Sequence, residues 1–312
     1  MRVTNKMLSN SFLTDMRTNL KNMQTLQEQM TSGKEIRRPS DDPARVARAM
    51  QLHTDINANK QYKSNISDTL NWLDTTDTAL GQAGDVLQKV RELLVSAGNA
   101  PYGSNERQSI KDEINQRIDE FAQILNTSYD GKYIFGGTRT TTKPLTTSEV
   151  NKNKVIDYNI LEDADAAIET SKIKQKMQVE ISPGVTMEYN VSADEIIEFD
   201  GKSVKDIFSN IVNHLDDENA VSKLSGSDLE DVTAAINNLL KKRSEVGAKQ
   251  NRMESAKYKN EDETYNLTSV LSRTEDIDIT EKTMQYATLQ TVYMASLQTS
   301  ARVLQPTLLD YL

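Results

Sequence analysis

The sequence predicts a mainly α protein: a long antiparallel, coiled-coil-like helical bundle formed by the N- and C-terminal regions, with a small inserted outer domain that contains β-structure. Three observations predict it. Apolar residues recur at heptad spacing toward both ends of the 312-residue chain. Hydrophobic residues make up 37% and aromatics 5%, which suits narrow seams along long helices better than a thick globular core. Between about 140 and 226 the helical period gives way to alternation and turn residues.

The first helix is expected over 5–32. Leu13, Met16, Leu20, Met23 and Met30, with Gln27 between them, keep a 3,4 repeat, and the rest of the segment is rich in Asn, Gln, Ser and Thr. A break follows. Gly33 can take the left-handed angles that close a helix. Pro39 biases Arg38 away from helical angles. Ser40, Asp41 and Asp42 can each cap a helix start, and Pro43 suits the first helical turn. Residues 33–43 therefore form a hinge, and Gly33, Arg37, Arg38, Pro39, Asp41, Asp42 and Pro43 are its candidate joint residues.

A second helix is expected over 43–96. Ile66, Leu73, Leu80, Leu87 and Leu94 recur every seven residues, and Gly98, Pro101 and Gly103 end the run. A third, over 104–126, puts Ile110, Ile114, Ile118, Phe121 and Leu125 on one stripe. Asp130-Gly131 then signals a turn. After Arg139 the run Thr140-Thr141-Thr142 favours extended structure and Pro144 marks a break. Met177, Val179 and Ile181 alternate, Ser182-Pro183-Gly184 turns, and Val185, Met187, Tyr189 and Val191 alternate again, which predicts a hairpin. A short helix is expected near 203–215.

Helical periodicity resumes at Ser227, which with Glu230 has the spacing of a capping box. Its seam runs from Leu229 through Val232, Ile236, Leu239, Val246 and Met253 to Leu267 and Leu271, and turns polar over 257–264, where packing should weaken. Residues 275–278 break the run and supply caps for a last helix, which should end or kink before Pro306. That helix carries no charge from Thr283 to Ala301. The stretch is long enough for a membrane span, but its many Gln, Thr and Ser suit burial among other helices and not hydrocarbon.

The seams divide into two classes. Ile66, Leu73, Leu80, Leu87, Leu94, Ile114, Phe121, Ile236, Leu239 and Val246 can satisfy one another as the core of a helical rod. The terminal seams have fewer partners within the chain. Leu13, Met16, Leu20, Met23 and Met30, with Met284, Ala287, Met294, Leu297, Ala301, Leu304 and Leu308, are therefore the expected self-assembly surface. The expected domains are paired terminal helices at 1–38 and 278–312, a rod at 39–139 and 227–277, and a mixed α/β insert at 140–226.

Charge and composition exclude several function classes. The net charge of −9 argues against nucleic acid as a partner. The two ends are complementary: residues 1–38 hold seven Lys/Arg and three Asp/Glu, net +4, and residues 275–312 hold two and five, net −3. With no Cys there is no disulfide and no thiolate metal site. No apolar core of a cleavable secretory signal opens the sequence, so an exported chain is expected to leave without signal cleavage. His53 and His214 lack converging ligands in the sequence, Gly136-Gly137 lacks the phosphate-loop patterns, and the acidic clusters lack calcium-loop spacing. No cofactor, metal or catalytic set is expected, and the chain reads as a structural protein, not an enzyme.

Three segments carry a resemblance to the flagellin superfamily, in the form of its hook–filament junction proteins. Thr31-Ser32-Gly33 through Arg38-Pro39-Ser40-Asp41-Asp42-Pro43 resembles the N-terminal motif, with Pro43-Ala44-Arg45 where flagellins usually show Ala-Ala-Gly. Tyr133-Ile134-Phe135-Gly136-Gly137-Thr138 is similar to the segment that leads into the outer domain. Leu308-Leu309-Asp310-Tyr311-Leu312 resembles the C-terminus. The resemblance covers about 1–140 and 227–312. It implies an inner tube domain made of the terminal helices, a rod domain, and an outermost insert. It also implies type III export to the extracellular flagellum, an export chaperone on the C-terminal helix, ring self-assembly, and hook-associated protein 1 and flagellin as neighbours. A flagellin filament subunit and a secreted helical adhesin are the alternatives.

Overall fold

A computed structural model of the chain describes residues 5–36, 38–99, 103–150, 153–160, 166–217 and 220–303. Three helices come first: α1 (Asn5–Ser32), α2 (Pro43–Asn99) and α3 (Ser104–Leu125). Four hairpins and four short helices follow: β1 (Ser128–Tyr129) and β2 (Lys132–Tyr133), β3 (Leu145–Val150) and β4 (Asn153–Tyr158), α4 (Ala166–Lys174), β5 (Gln178–Ser182) and β6 (Val185–Glu188), α5 (Ala193–Ile197), β7 (Glu198–Phe199) and β8 (Lys202–Ser203), α6 (Val204–Asp216) and α7 (Val221–Leu224). Two helices close the chain, α8 (Ser227–Glu275) and α9 (Ile279–Val303). The chain is mainly helical with a small strand-containing insert.

Two compact units result, Met1–Asn59 with Asp262–Leu312, and Lys60–Glu261. The division falls inside α2 and α8. On α8 it lies in the polar part of the seam, where packing was expected to weaken.

In the unit of residues 60–261 the core runs along α2, α3 and α8. Ile66, Leu73, Leu80, Leu87 and Leu94 are all buried, as are Ile114, Phe121, Ile236, Leu239 and Val246. The heptad of α2 is completed by Thr69, Thr76, Ala83 and Val90, also buried. The two threonines fit because each donates its hydroxyl to its own helix: Thr69 Oγ1 to the Asn65 carbonyl at 2.7 Å and Thr76 Oγ1 to the Trp72 carbonyl at 2.8 Å. Between the helices, Arg243 makes a two-pronged bond to Asp77 at 2.9 and 3.0 Å, and Gln250 bonds Asp74 at 2.7 Å.

The insert is joined to this core by the Tyr133–Thr138 segment. Ile134 and Phe135 are fully buried. Gly137 has φ +61, and an added Cβ would lie 2.3 Å from the Ile173 carbonyl oxygen and 2.4 Å from that of Lys172, at the end of α4. The segment is thus a core plug followed by a close backbone approach. Arg139 and Glu169, both buried, form an ion pair at 2.9 Å that ties the same segment to α4.

All four hairpins are antiparallel two-stranded pairs. The one expected over 177–191 is β5–β6, with its register shifted between Glu180 and Ser182. The strand expected at Thr140–Thr142 is displaced: those residues are irregular and β3 starts at Leu145, after Pro144. The β3–β4 pairing runs from Leu145 opposite Tyr158 to Val150 opposite Asn153, and β4 lies against α3 and α6. There Phe121 meets Phe208 edge-on at 5.7 Å. The expected capping box does not form. Ser227 is already helical, its hydroxyl points to the Asp228 carboxylate, and the Glu230 N–H bonds the Gly226 carbonyl. Asp228 is buried and binds His214 Nδ1 at 2.7 Å, so His214 has the partner its sequence neighbours did not reveal.

Candidate assembly surface and joint

The unit that joins the two ends of the chain is built on α1 and α9, which pack together. Among the half-buried and buried positions of α1, Phe12, Met16, Asn19, Met23, Leu26 and Met30 form a 4,3,4,3,4 frame. Those of α9 are Lys282, Tyr286, Leu289, Tyr293, Ser296 and Ser300. The two helices run antiparallel: Phe12, Met16 and Asn19 lie near Leu289, Val292 and Ser296, while Lys282 approaches Glu35 beyond the end of α1.

This pairing frame is offset from the one read in the sequence. Met16, Met23 and Met30 belong to both frames and face inward, where Phe12 and Leu26 join them. Leu13 and Leu20 fall outside it. So do Met284, Ala287, Met294 and Leu297 of α9, all of which are exposed. The larger of these, Leu13, Leu20, Met284, Met294 and Leu297, keep 46–64% of their surface in this chain alone. The shared methionines made two adjacent frames look like one. Ala301 lies in α9, and Leu304 and Leu308 lie outside the described residues.

The joint is built from backbone first. Gly33, at φ +72, closes α1 by donating its N–H to the Gln29 carbonyl at 2.8 Å. The Glu35 N–H then bonds the Glu275 carbonyl at 2.6 Å and the Ile277 N–H bonds the Gly33 carbonyl at 3.1 Å, setting Lys34 opposite Asp276. This short antiparallel bridge holds the link after α1 to the link between α8 and α9. Asp41 accepts the Arg38 N–H at 2.9 Å and so closes the turn around Pro39. Asp42 Oδ1 accepts the N–H groups of Ala44 and Arg45 and caps α2, with Pro43 as its first residue. Asp278 caps α9 in the same way, through Thr280 and Glu281.

Charged side chains complete it. Glu275, nearly buried, accepts Lys34 Nζ at 2.5 Å and faces His53 Nε2 at 3.2 Å. Glu35 accepts Arg45 at 2.9 Å and Lys282 at 3.5 Å, and Arg45 also donates to the Thr274 carbonyl at 2.6 Å. The hydrogen bond from Arg45, aided by the charges of Arg45 and Lys282, holds the Glu35 carboxyl below its ordinary range against the opposing effect of burial. Beneath the network Ala49, Leu52 and Ile56 of α2 meet Leu271 of α8 in a small apolar cluster. A cavity of about 240 Å³ beside it is lined by Lys34, Ile36, Arg38, Pro39 and His53 among others. Arg38 is exposed at its edge, and Arg37 lies outside the described residues. Of the charged residues here, Lys34 and Glu275 follow the opposite net charge of the two ends; Glu35 and Lys282 pair with the signs reversed, and Arg45 and His53 lie outside those ends, so the sequence carried no signal for them.

Such an arrangement orients helices and offers an exposed face. Among the described residues no group of three His, Asp or Glu is placed to hold a metal ion, and no helix is long and apolar enough to cross a membrane.

Residues 3–140 match the bacterial flagellin N-terminal helical region, and residues 229–312 match the bacterial flagellin C-terminal helical region. Flagellin of Bacillus subtilis (strain 168) is 30% identical over 298 residues, 92% of this chain and 90% of that protein. Flagellar hook-associated protein 3 of Escherichia coli (strain K12) is 26% identical over 285 residues, 86% of each chain. The match to flagellin of Clostridium tyrobutyricum takes in 34% of that protein. Among solved structures, a putative flagellar hook-associated protein from Vibrio parahaemolyticus has a TM-score of 0.63 at 21% identity, over 76% of this chain and 100% of that one.

Proposed function

Because this chain belongs to the bacterial flagellin family, a family of flagellar structural proteins, we propose that it forms the junction ring between hook and filament. Its partners in that role are further copies of itself, hook-associated protein 1 on the hook side and flagellin on the filament side. An export chaperone holds the C-terminal helix before assembly, and the chain reaches the extracellular flagellum without a cleaved signal. Residues 1–38 and 278–312 form the inner tube domain, 39–139 and 227–277 the rod, and 140–226 the outer domain. Assembly runs through the outward faces of α1 and α9.

The observation that carries the junction role is the Tyr133–Thr138 segment, whose sequence form resembles that of junction proteins. Its buried Ile134 and Phe135 and its closely backed Gly137 give that form a structural reason. The likeness to Escherichia coli hook-associated protein 3 along 86% of both chains supports the same reading. A filament subunit is the second reading, favoured by 30% identity to Bacillus subtilis flagellin. Gold-labelled antibody on isolated flagella separates them. The junction role predicts one band of label between hook and filament; label along the whole filament would replace it with the second reading.

A further inference from the structure

We propose that the threonines of α9 act in assembly as apolar residues, with their hydroxyls sealed against their own helix, so that a second copy of the chain is received on methyl groups. The inference rests on the assembly reading given above and concerns the chemistry of the same face.

Four exposed threonines of α9 donate their hydroxyls to the carbonyl four residues back. Thr283 bonds Ile279 at 2.6 Å, and Thr288, Thr291 and Thr299 bond Met284, Ala287 and Ala295, each at 2.9 Å. A threonine bonded in this way has spent its donor locally and turns its methyl outward. Met284, Thr288, Thr291 and Ala295 stand 4,3,4 apart on one exposed stripe, opposite the Tyr286, Leu289 and Tyr293 face that packs on α1. Val292 and Met294 flank the stripe, both about half exposed. By sequence the helix is polar; on this stripe the two threonine hydroxyls are bonded back to their own helix, beside a thioether and an alanine methyl.

The occupant follows from charge. Between Lys282 and Arg302 α9 has no ionisable acid or base apart from its tyrosines. Two copies of the stripe therefore meet without like-charge repulsion and without burying an unpaired ion. A highly charged partner gains nothing there. The same device recurs on α1, where Thr14, Thr18 and Thr25 donate to Asn10, Thr14 and Lys21. Sealed hydroxyls leave no donor to be stranded when the neighbour arrives, which is the usual cost of burying a threonine.

The test uses full-length variants in cells lacking the native copy, scored as the number of filaments retained per cell, with the secreted amount of each variant measured alongside. Cross-linking of the purified chain gives a second readout independent of export. Thr288→Val with Thr291→Val keeps filaments and cross-links at the unsubstituted level. Thr288→Ser with Thr291→Ser keeps both hydroxyls but removes two buried methyls, and weakens assembly by about fifteenfold at about fourfold per methyl. If Val abolishes assembly and Ser does not, the hydroxyls reach across to the neighbour and the proposal is overturned. If neither pair changes assembly, the threonines are not in the interface and the proposal is equally overturned. A Met294→Glu variant that still assembles normally would remove the assembly face itself, and so separates failure of that reading from failure of this one.

Discussion

At the residue scale, position decides what a small change costs. Gly137 is pinned by a left-handed φ and by two carbonyl oxygens that an added Cβ would meet at 2.3 and 2.4 Å. Gly137→Ala should lower stability by about 3 kcal/mol, measured by urea unfolding. Gly84 lies inside α2 with nothing near a built Cβ, and Gly84→Ala should raise stability by up to about 1 kcal/mol. Equal effects at the two sites would contradict the close approach at α4. Glu35 gives a pH dependence with a defined sign. Its folded pKa is depressed, so its contribution is present above the ordinary glutamate value of 4.5 and is lost as pH falls through the lower folded value. The helical signal of the intact chain should therefore fall on acidification below about pH 4.5, and Glu35→Gln should flatten that part of the curve. An unchanged curve in the variant would place the acid sensitivity elsewhere. Some residues were legible and some were not. Asp42 and Pro43 read correctly as a helix start because capping is local. Thr69 and Thr76 were passed over as polar because their back-bonding to the helix has no mark in composition. His53 and His214 looked unpartnered because Glu275 lies far along the chain and Asp228 lies across a turn on another helix.

At the scale of elements, periodicity over many turns carried the most information. The starts of α2, α3, α8 and α9 and the ends of α1, α3 and α8 could be read to within a few residues because Gly, Pro and Asp punctuate most of them. Leu80 sits at the middle of the α2 heptad and is fully buried. Leu80→Ala should destabilise the unit of residues 60–261 by about 3 kcal/mol in urea unfolding; a loss below about 1 kcal/mol would mean that the seam is not packed as described. The short elements were harder. Asn151-Lys152, between β3 and β4 in the sequence, lacks the Gly of a strong turn pair, and the exposed positions of β3, Thr146, Glu149 and Val150, do not alternate with buried ones. The β7–β8 hairpin was missed although Asp200-Gly201 repeats the Asp130-Gly131 signal, with φ of 48° and 75° against 49° and 72°. Two-residue strands are too short for alternation to register. In α1 the sequence shows one seam where the structure has two faces: Met16, Met23 and Met30 fit both heptad frames, and the tertiary partner, α9, takes the one that leaves Leu13 and Leu20 outside.

At the scale of the whole molecule, the mainly helical class, the inserted strands and the return of the C-terminus to the N-terminus were legible, because each is written in periodicity or charge over tens of residues. The cut between compact units was half legible. On α8 it falls at Glu261, inside the polar stretch where packing was expected to weaken; on α2 it falls at Asn59, where no Gly or Pro marks it. The outward faces of α1 and α9 were legible as surplus: more apolar positions than one partner helix can cover. That surplus is the physical basis for reading the chain as a subunit of a larger tube. The most direct test is electron microscopy of cells from which the gene for this chain has been deleted, with the medium assayed for flagellin. The account predicts complete hooks without filaments and flagellin shed into the medium. Filaments still attached to hooks, or a medium without flagellin, would contradict it.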